Sequence, residues 1–257
     1  GQLVPWCNQY RMQAYYRGNF LMPSSSNGLR KCLNLQWDAS NASVIRWTYQ
    51  RLYMSIAYCN ELLRQCTEEK LKSRGLWDQL GGECASYRAE ARFIRAYCYA
   101  TLCDMFGAVP YIDENTGVKD IPAQWSRKQI FGFAENELKD IQKDLKAPGE
   151  NVYARVDCVA DWFLLSRMYL NAKTWIGEDR YDDALTYAKK VIEDGHYPLA
   201  SDYRHIFLAD NDQCKEIIWP LVQDGLKAQS SGGTNFYVKA FVNGPMDELY
   251  NTGIGSR

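Results

Sequence analysis

Residues 87–110 read YRAEARFIRAYCYATLCDMFGAVP, and the spacing of the apolar side chains within them decides the fold class. Phe93, Ala96, Tyr97, Ala100 and Cys103 recur at the i, i+3, i+4, i+7 interval of one helical face. Ile94, Cys98, Leu102 and Met105 add a second apolar stripe beside it. A helix that is apolar on two sides must be covered on two sides, so the stretch predicts a central helix. Arg88, Arg92 and Arg95 form a third stripe near its start, and the alanines at 89, 91, 96 and 100 let neighbouring backbones come close. Gly107 can take the left-handed conformation that ends a helix, and Pro110 prevents a restart.

Upstream, Ser43 is placed to cap a helix of about six turns whose apolar positions are Val44, Trp47, Leu52, Ile56, Cys59, Leu63 and Cys66. Asn60 shares a side with Ile56 and Leu63, which predicts a buried amide bonded to a neighbouring backbone. A polar stretch from Thr67 to Gly82 leads into the central helix. Before Ser43, residues 2–17 carry a further helix pattern with Pro5 in its first turn, and residues 19–42 form a loop long enough to be functional.

Downstream, residues 111–125 read as loop, and Ser126 with Gln129 makes a capping box. Ile130, Phe133, Ala134, Leu138, Ile141 and Leu145 mark the buried face of the helix that follows. Val156–Lys173 is again helical, with Val159, Ala160, Phe163, Leu164, Met168 and Leu170 directed inward. Tyr181, Ala184, Tyr187, Ala188 and Ile192 fit the second helix of a tetratricopeptide-like unit. Successive pairs at 44–67 with 83–106, 126–146 with 153–173, and 178–195 onward predict a mainly α chain. It is a tetratricopeptide-like α-solenoid with long irregular loops and a little β near the C-terminal end, where Glu216–Val222 reads as a short strand with Pro220 at an edge. The whole, 1–257, is expected as one domain, its helical-repeat part at about 43–207 and a mixed β and loop part at about 208–257.

Composition bounds the partners. Thirty Lys and Arg against thirty-one Asp and Glu give a net charge of −1, so no overall field draws in nucleic acid or an anionic membrane. No run of eighteen apolar residues spans a bilayer. Eight Trp and eighteen Tyr supply many side chains that are part apolar and part polar, a character shared by sugar-binding faces and by ordinary helical cores. The nine cysteines form no CxxC pair and sit mostly in helical apolar stripes, which predicts mainly free, buried thiols.

Ala89-Glu90-Ala91-Arg92-Phe93, continuing through Arg95-Ala96-Tyr97 to Phe106-Gly107 and Val109-Pro110, resembles the most recognisable segment of the SusD/RagB family. Four further segments repeat the likeness in order: Trp47 with Leu52-Tyr53, Ile56 and Asn60; Phe133–Ile141; Tyr197–Phe207; and Glu216–Trp219. The resemblance implies a surface glycan-binding lipoprotein of a Bacteroidetes nutrient-uptake system. Such a protein delivers oligo- or polysaccharide to a TonB-dependent outer-membrane transporter of the SusC type, without catalysis and without a cofactor. It also implies an anoxic habitat that tolerates free thiols. Family members are longer and start at a lipidated cysteine, so the chain reads as part of a longer protein whose membrane attachment is a lipid anchor outside it.

Few residues offer catalytic chemistry. His196 and His205 have no metalloprotease spacing, and Asp210, Asp212 and Glu216 lack the glycine of a calcium loop. Gly232-Gly233-Thr234 lacks the lysine of a phosphate loop. A carboxylate pair such as Asp104 with Asp161 has no motif behind it, and Asp104 reads as a partner for an arginine. Binding fits better. Trp37, Asp38 and Asn41 place an indole face beside polar groups on a loop held by a helical scaffold. The founding starch-binding member of the family uses aromatics with nearby Asn and Arg in this way. By residue type, the resemblance therefore points to Trp37, Asn41, Arg30 and Tyr237 as ligand contacts. The alternative is a helical-repeat adaptor for peptides or proteins, with RagB-like peptide uptake as its role.

Overall fold

The computed structural model describes residues 43–117, 119–208 and 210–222. The chain divides into two compact units, Gly1–Arg51 with Leu221–Arg257 and Leu52–Pro220, and the buried hydrophobic residues among those described lie in the second. The elements in order are α1 (Ser43–Gln65), α2 (Glu68–Ser73), α3 (Trp77–Leu80), a 3-10 turn at Gly81–Glu83, and α4 (Cys84–Phe106). There follow β1 (Val109–Pro110), β2 (Gln124–Trp125), α5 (Arg127–Ile141), α6 (Cys158–Ile176), α7 (Tyr181–Asp194) and 3-10 turns at Tyr203–Phe207 and Asn211–Gln213. The chain is mainly helical, as the periodicity predicted. Among the described residues no helix is long and apolar enough to cross a membrane. The helix read at residues 2–17 and the loop at 19–42 lie outside the described residues.

The helices stack in chain order. Cys59 and Leu63 of α1 meet Ala91 and Ile94 of α4. Helix α4 packs along α5, α5 touches α6, and α6 packs along α7 more extensively than on α5. Phe93, Ala96, Tyr99, Ala100, Leu102 and Cys103 of α4 are buried, which is what two covered sides demand of it. Gly107 ends α4 at φ 77° and ψ −105°, so its φ is positive, as expected of a helix-ending glycine, but its ψ lies outside the left-handed helical region. The capping box at Ser126 forms as read: the Gln129 N–H donates to Ser126 Oγ at 3.4 Å, and the Ser126 N–H donates to Gln129 Oε1 at 3.0 Å. Arg127 then donates from Nε to the Cys103 carbonyl at 3.0 Å, joining the start of α5 to the last turn of α4.

Several inward assignments are corrected. Phe163 and Leu170 are 46% and 59% exposed. At roughly 100° per residue they lie on the side of α6 opposite Leu165, Met168 and Ala172, which are fully buried. Trp47 is half exposed, and Phe131 shares the buried face of α5 while Phe133 is only partly covered. Glu216–Val222 is not a strand. The chain turns there, with the Ile217 N–H donating to the Cys214 carbonyl, and Trp219 packs edge-on against Phe93 and Tyr97 at 5.2 and 5.5 Å between ring centroids. A docked indole takes the place of a strand partner. The β structure in the described residues comprises the antiparallel pair β1–β2, with Val109 opposite Trp125 and Pro110 opposite Gln124, and an isolated parallel bridge between Lys146 and Asp157.

That small ribbon and the connection behind it are fastened to the helices by polar groups. Tyr99 Oη donates to the Ile112 carbonyl at 2.9 Å and accepts from the Ile112 N–H at 2.8 Å. Tyr53 Oη donates to the Pro110 carbonyl at 2.5 Å. Asn60, 2% exposed, donates to the Ile112 carbonyl, the backbone role its position predicted. Tyr111 stacks on Trp125 with 3.8 Å between centroids and 7° between planes, and both meet Phe133 edge-on.

A charged layer runs beneath. Arg95, 3% exposed, donates to Asn60 Oδ1 at 2.9 Å and to Glu137 at 2.7 Å, and it pairs with Glu114. Arg92 bonds Glu137 and Asp140, each at 2.7 Å. Burial opposes ionisation of Glu114, yet the Arg95 guanidinium holds its carboxyl below the usual range.

Candidate functional site

Trp37, Asn41, Arg30 and Tyr237, the expected ligand contacts, lie outside the described residues, as do Asp38 and Gly232-Gly233-Thr234. Within the unit Leu52–Pro220 a cleft of about 740 Å³ is walled by three segments: 149–155, the chain from Ile192 to Pro198, and 212–220. Two of these walls, 149–155 and 192–198, are fixed by polar anchors.

Asp157, 2% exposed, is the central anchor. Its Oδ1 caps α6 by accepting from the N–H groups of Val159 at 2.9 Å and Ala160 at 3.3 Å. Its Oδ2 accepts from the Gly149 N–H at 2.9 Å and from Tyr197 Oη at 2.5 Å. One carboxylate thus binds two walls of the cleft to one helix terminus. Burial, with the Asp157 carboxylate beside it, pushes the Tyr197 phenol well above the ordinary tyrosine value, so it stays a donor. A second anchor is Glu90 on α4, which pairs with Arg155 and accepts from Asn151 Nδ2 at 3.3 Å. The Arg155 guanidinium also lies over the Tyr87 ring at 4.8 Å.

The backbone is strained on facing walls. Ala154 at φ 67° and His196 at φ 63° are the non-glycine residues with positive φ among those described, and both line this cleft. Such conformations each cost on the order of 1 kcal/mol or more and persist where the surroundings over-determine them. The anchors named above do that.

The side chains left to meet a ligand are Tyr153, His196 and Lys215, which make no hydrogen bond or ion pair among the described residues. Tyr153 is 51% exposed, and burial of its hydroxyl, with Asp212 nearby, raises its phenol above the ordinary value. The cleft therefore offers an aromatic face, an imidazole, an ammonium and the Asp212 carboxylate. Asp212 is its one carboxylate among the described lining residues, whereas glycoside hydrolysis uses two. The arrangement is suited to holding a polar ligand. Sequence reasoning missed Tyr153 and Lys215, because Tyr153 falls in the stretch read as helix at 153–173, whereas α6 begins only at Cys158, and because the cleft is assembled from stretches some sixty residues apart.

The remaining candidates separate. Asp104 is exposed and makes no ion pair among the described residues, so the arginine partner expected for it is not there, while Asp161 is fully buried in α6. His205 is exposed on its 3-10 turn. Glu216 Oε2 accepts from the Ala200 N–H at 2.8 Å, and Asp212 Oδ2 accepts from Gln213 Nε2 at 2.8 Å. Among the described residues no group of three or more His, Cys, Asp or Glu side chains could hold a metal ion. Cys59, Cys84, Cys98, Cys103 and Cys158 are buried and Cys66 and Cys214 half-buried, all as free thiols. Burial raises the Cys59 and Cys158 thiols to about 11.

Comparison with known proteins adds the lineage of this architecture. Residues 5–170 match a family model described as SusD-like, starch-binding associating with outer membrane. The chain is 34% identical over 209 residues to the starch-binding protein SusD of Bacteroides thetaiotaomicron, covering 80% of this chain and 35% of that protein. It therefore spans about a third of that relative's length. Among solved structures it superposes on surface glycan-binding protein A from Bacteroides uniformis with a TM-score of 0.60 and 22% identity, over 75% of this chain and 41% of the other. A protein solved with xylogluco-oligosaccharide gives a TM-score of 0.62 and 20% identity, over 76% of this chain and 38% of the other.

Proposed function

Since this chain belongs to the SusD-like family, described as starch-binding and associating with the outer membrane, we propose that it forms the helical scaffold of a cell-surface glycan-binding protein. In this reading the protein captures oligo- or polysaccharide and passes it to a TonB-dependent transporter of the SusC type, held at the outer membrane by a lipid anchor, and catalyses no reaction. The observation that carries the proposal is the match of the starch-binding family model over residues 5–170.

The physical basis is complementary surface. A pyranose ring presents apolar C–H faces that stack on an aromatic ring, and hydroxyls that bond amides, carboxylates and cationic side chains. Trp37 supplies the stacking face in this proposal, with Arg30, Asn41 and Tyr237 as its polar and aromatic partners. The cleft around Tyr153, His196 and Lys215 is a second place of the same chemical character.

Affinity gel electrophoresis against a panel of polysaccharides tests the reading, with Trp37→Ala and Tyr153→Ala run beside the parent. One glycan is expected to retard the parent, and Trp37→Ala to weaken that binding about tenfold or more, the equivalent of roughly 1.4 kcal/mol. Loss in Tyr153→Ala alone moves the site to the cleft. Retardation by no glycan overturns the carbohydrate reading in favour of peptide uptake, for which the same panel with peptides is the next measurement.

A further inference from the structure

Between α1 and α4 the chain doubles back through α2, α3 and a 3-10 turn, so the residue just beyond α1 meets the first residue of α4. Cysteines occupy both positions. The Sγ atoms of Cys66 and Cys84 are 3.4 Å apart, across eighteen residues of sequence. Cys84 Sγ also lies 3.6 Å from the Cys66 carbonyl oxygen, to which it donates.

This contact is held in place from outside. Arg88, one turn along α4 from Cys84, donates from Nη1 to the Leu63 carbonyl at 2.7 Å and to the Cys66 carbonyl at 2.8 Å. It thereby fixes the end of α1, and the Cys66 backbone with it, against α4. The next residue, Thr67, caps α2 by accepting from the Lys70 N–H, so the chain leaves Cys66 in a set direction. Cys84 lines a cleft of about 640 Å³ with Trp77, Gly81 and Arg88, and Cys66 is half-buried, so a small reagent can reach the pair. A disulfide needs the sulfurs at about 2.05 Å, so closure draws the two sulfurs together by about 1.4 Å from their 3.4 Å contact.

We propose that Cys66 and Cys84 are a reversible dithiol–disulfide site, closed by small-molecule disulfide oxidants, that staples the end of α1 to the start of α4. The thiolate of one cysteine attacks a sulfur of the reagent. The reagent's S–S bond breaks, one reagent thiol leaves with a proton, and a mixed disulfide remains on the protein. The second cysteine, as thiolate, attacks the protein-side sulfur, forms the Cys66–Cys84 bond and releases the second reagent thiol. The protein thiols lose two electrons and two protons in all, and the reagent disulfide gains both. The staple closes a loop in the unfolded chain, so it stabilises the fold by restricting the denatured state.

The test is incubation of the folded protein in oxidised glutathione, then alkylation of the remaining thiols and peptide mass mapping, with dithiothreitol-treated protein as reference. The expected result is a peptide pair joined through Cys66 and Cys84, lighter than the separate peptides by two hydrogens and released by dithiothreitol. Cys66→Ser and Cys84→Ser, each checked for native helicity, lack the link and keep a glutathione adduct on the remaining cysteine. Recovery of both Cys66 and Cys84 as alkylated thiols in oxidised parent protein overturns the proposal. So does joining of either to a different cysteine. Because the mapping is made on the parent, a variant that fails to fold leaves the test intact.

Discussion

Asp161 is fully enclosed, with Gln142 Nε2 donating to its Oδ2 at 2.8 Å and no partner on its Oδ1. Burial raises its carboxyl to about 8, against the hydrogen bond from Gln142 and the nearby Lys190 ammonium, which both lower it. The folded state therefore keeps a proton that the unfolded chain releases near its ordinary value of 3.8. The sign follows: the folded form binds more protons between those two values, so stability falls as pH rises from about 4 to about 8. Asp161→Asn keeps the shape and an acceptor for Gln142. It should flatten this dependence and stabilise the protein by a few kcal/mol at pH 9 while changing little at pH 4. Urea unfolding of both proteins at the two pH values checks it, and coincident curves at pH 9 would refute the burial account. Nothing in the local sequence marks Asp161 as buried. Its place in the first turn of α6 reads as a favourable helix-end charge, and only the packing of α5 and α7 around it removes the water.

Helix starts marked by a capping side chain were the most legible feature, because that signal is local. Ser126 and Gln129 form their reciprocal pair as written in the sequence, whereas the ends are less legible: α5 stops at Ile141 rather than 146, and α6 runs past Lys173 to Ile176, where Gly177 at φ 76° ends it. Ser126→Ala deletes the acceptor for the Gln129 N–H and should cost about 1 kcal/mol, seen as a lowered denaturation midpoint with unchanged slope. Ser126→Asp should restore most of it. The strand at 216–222 failed on the opposite ground. Its β-branched and aromatic residues fit a strand, but a strand also needs a partner; Trp219 docks on α4 instead, and Leu221 and Val222 are left exposed. Phe163 and Leu170 failed because α6 is apolar over most of its circumference, so periodicity alone could not say which side faces in.

The stack is joined across its layers by few residues, and Arg95 is the chief of them: it touches α1 through Asn60, the connection after β1 through Glu114, and α5 through Glu137. Arg95→Ala leaves Asn60 and the Glu114 carboxylate without their guanidinium. It should cost about 3–5 kcal/mol, far more than Lys128→Ala, whose pair with Glu178 is on the surface. Thermal unfolding of the two variants beside the parent measures the contrast, and equal midpoints would show that the buried layer is not a joint. The sequence shows Arg95 only as part of a cationic stripe. Its burial depends on partners 19 to 42 positions away, and the cleft around Tyr153 is likewise built by distant segments brought together through Asp157 and Glu90. The same remoteness bears on how the chain reaches its native state. The bonds from Tyr53 to Pro110, Asn60 to Ile112 and Arg64 to Glu114 close loops of 57, 52 and 50 residues. Each exacts its closure entropy before it returns any energy, so this helical stack has a higher contact order than a simple bundle. Its individual helices and their neighbour pairs are available early in folding, while the seam along residues 110–114 is set late and acts as the clasp that makes the assembly cooperative.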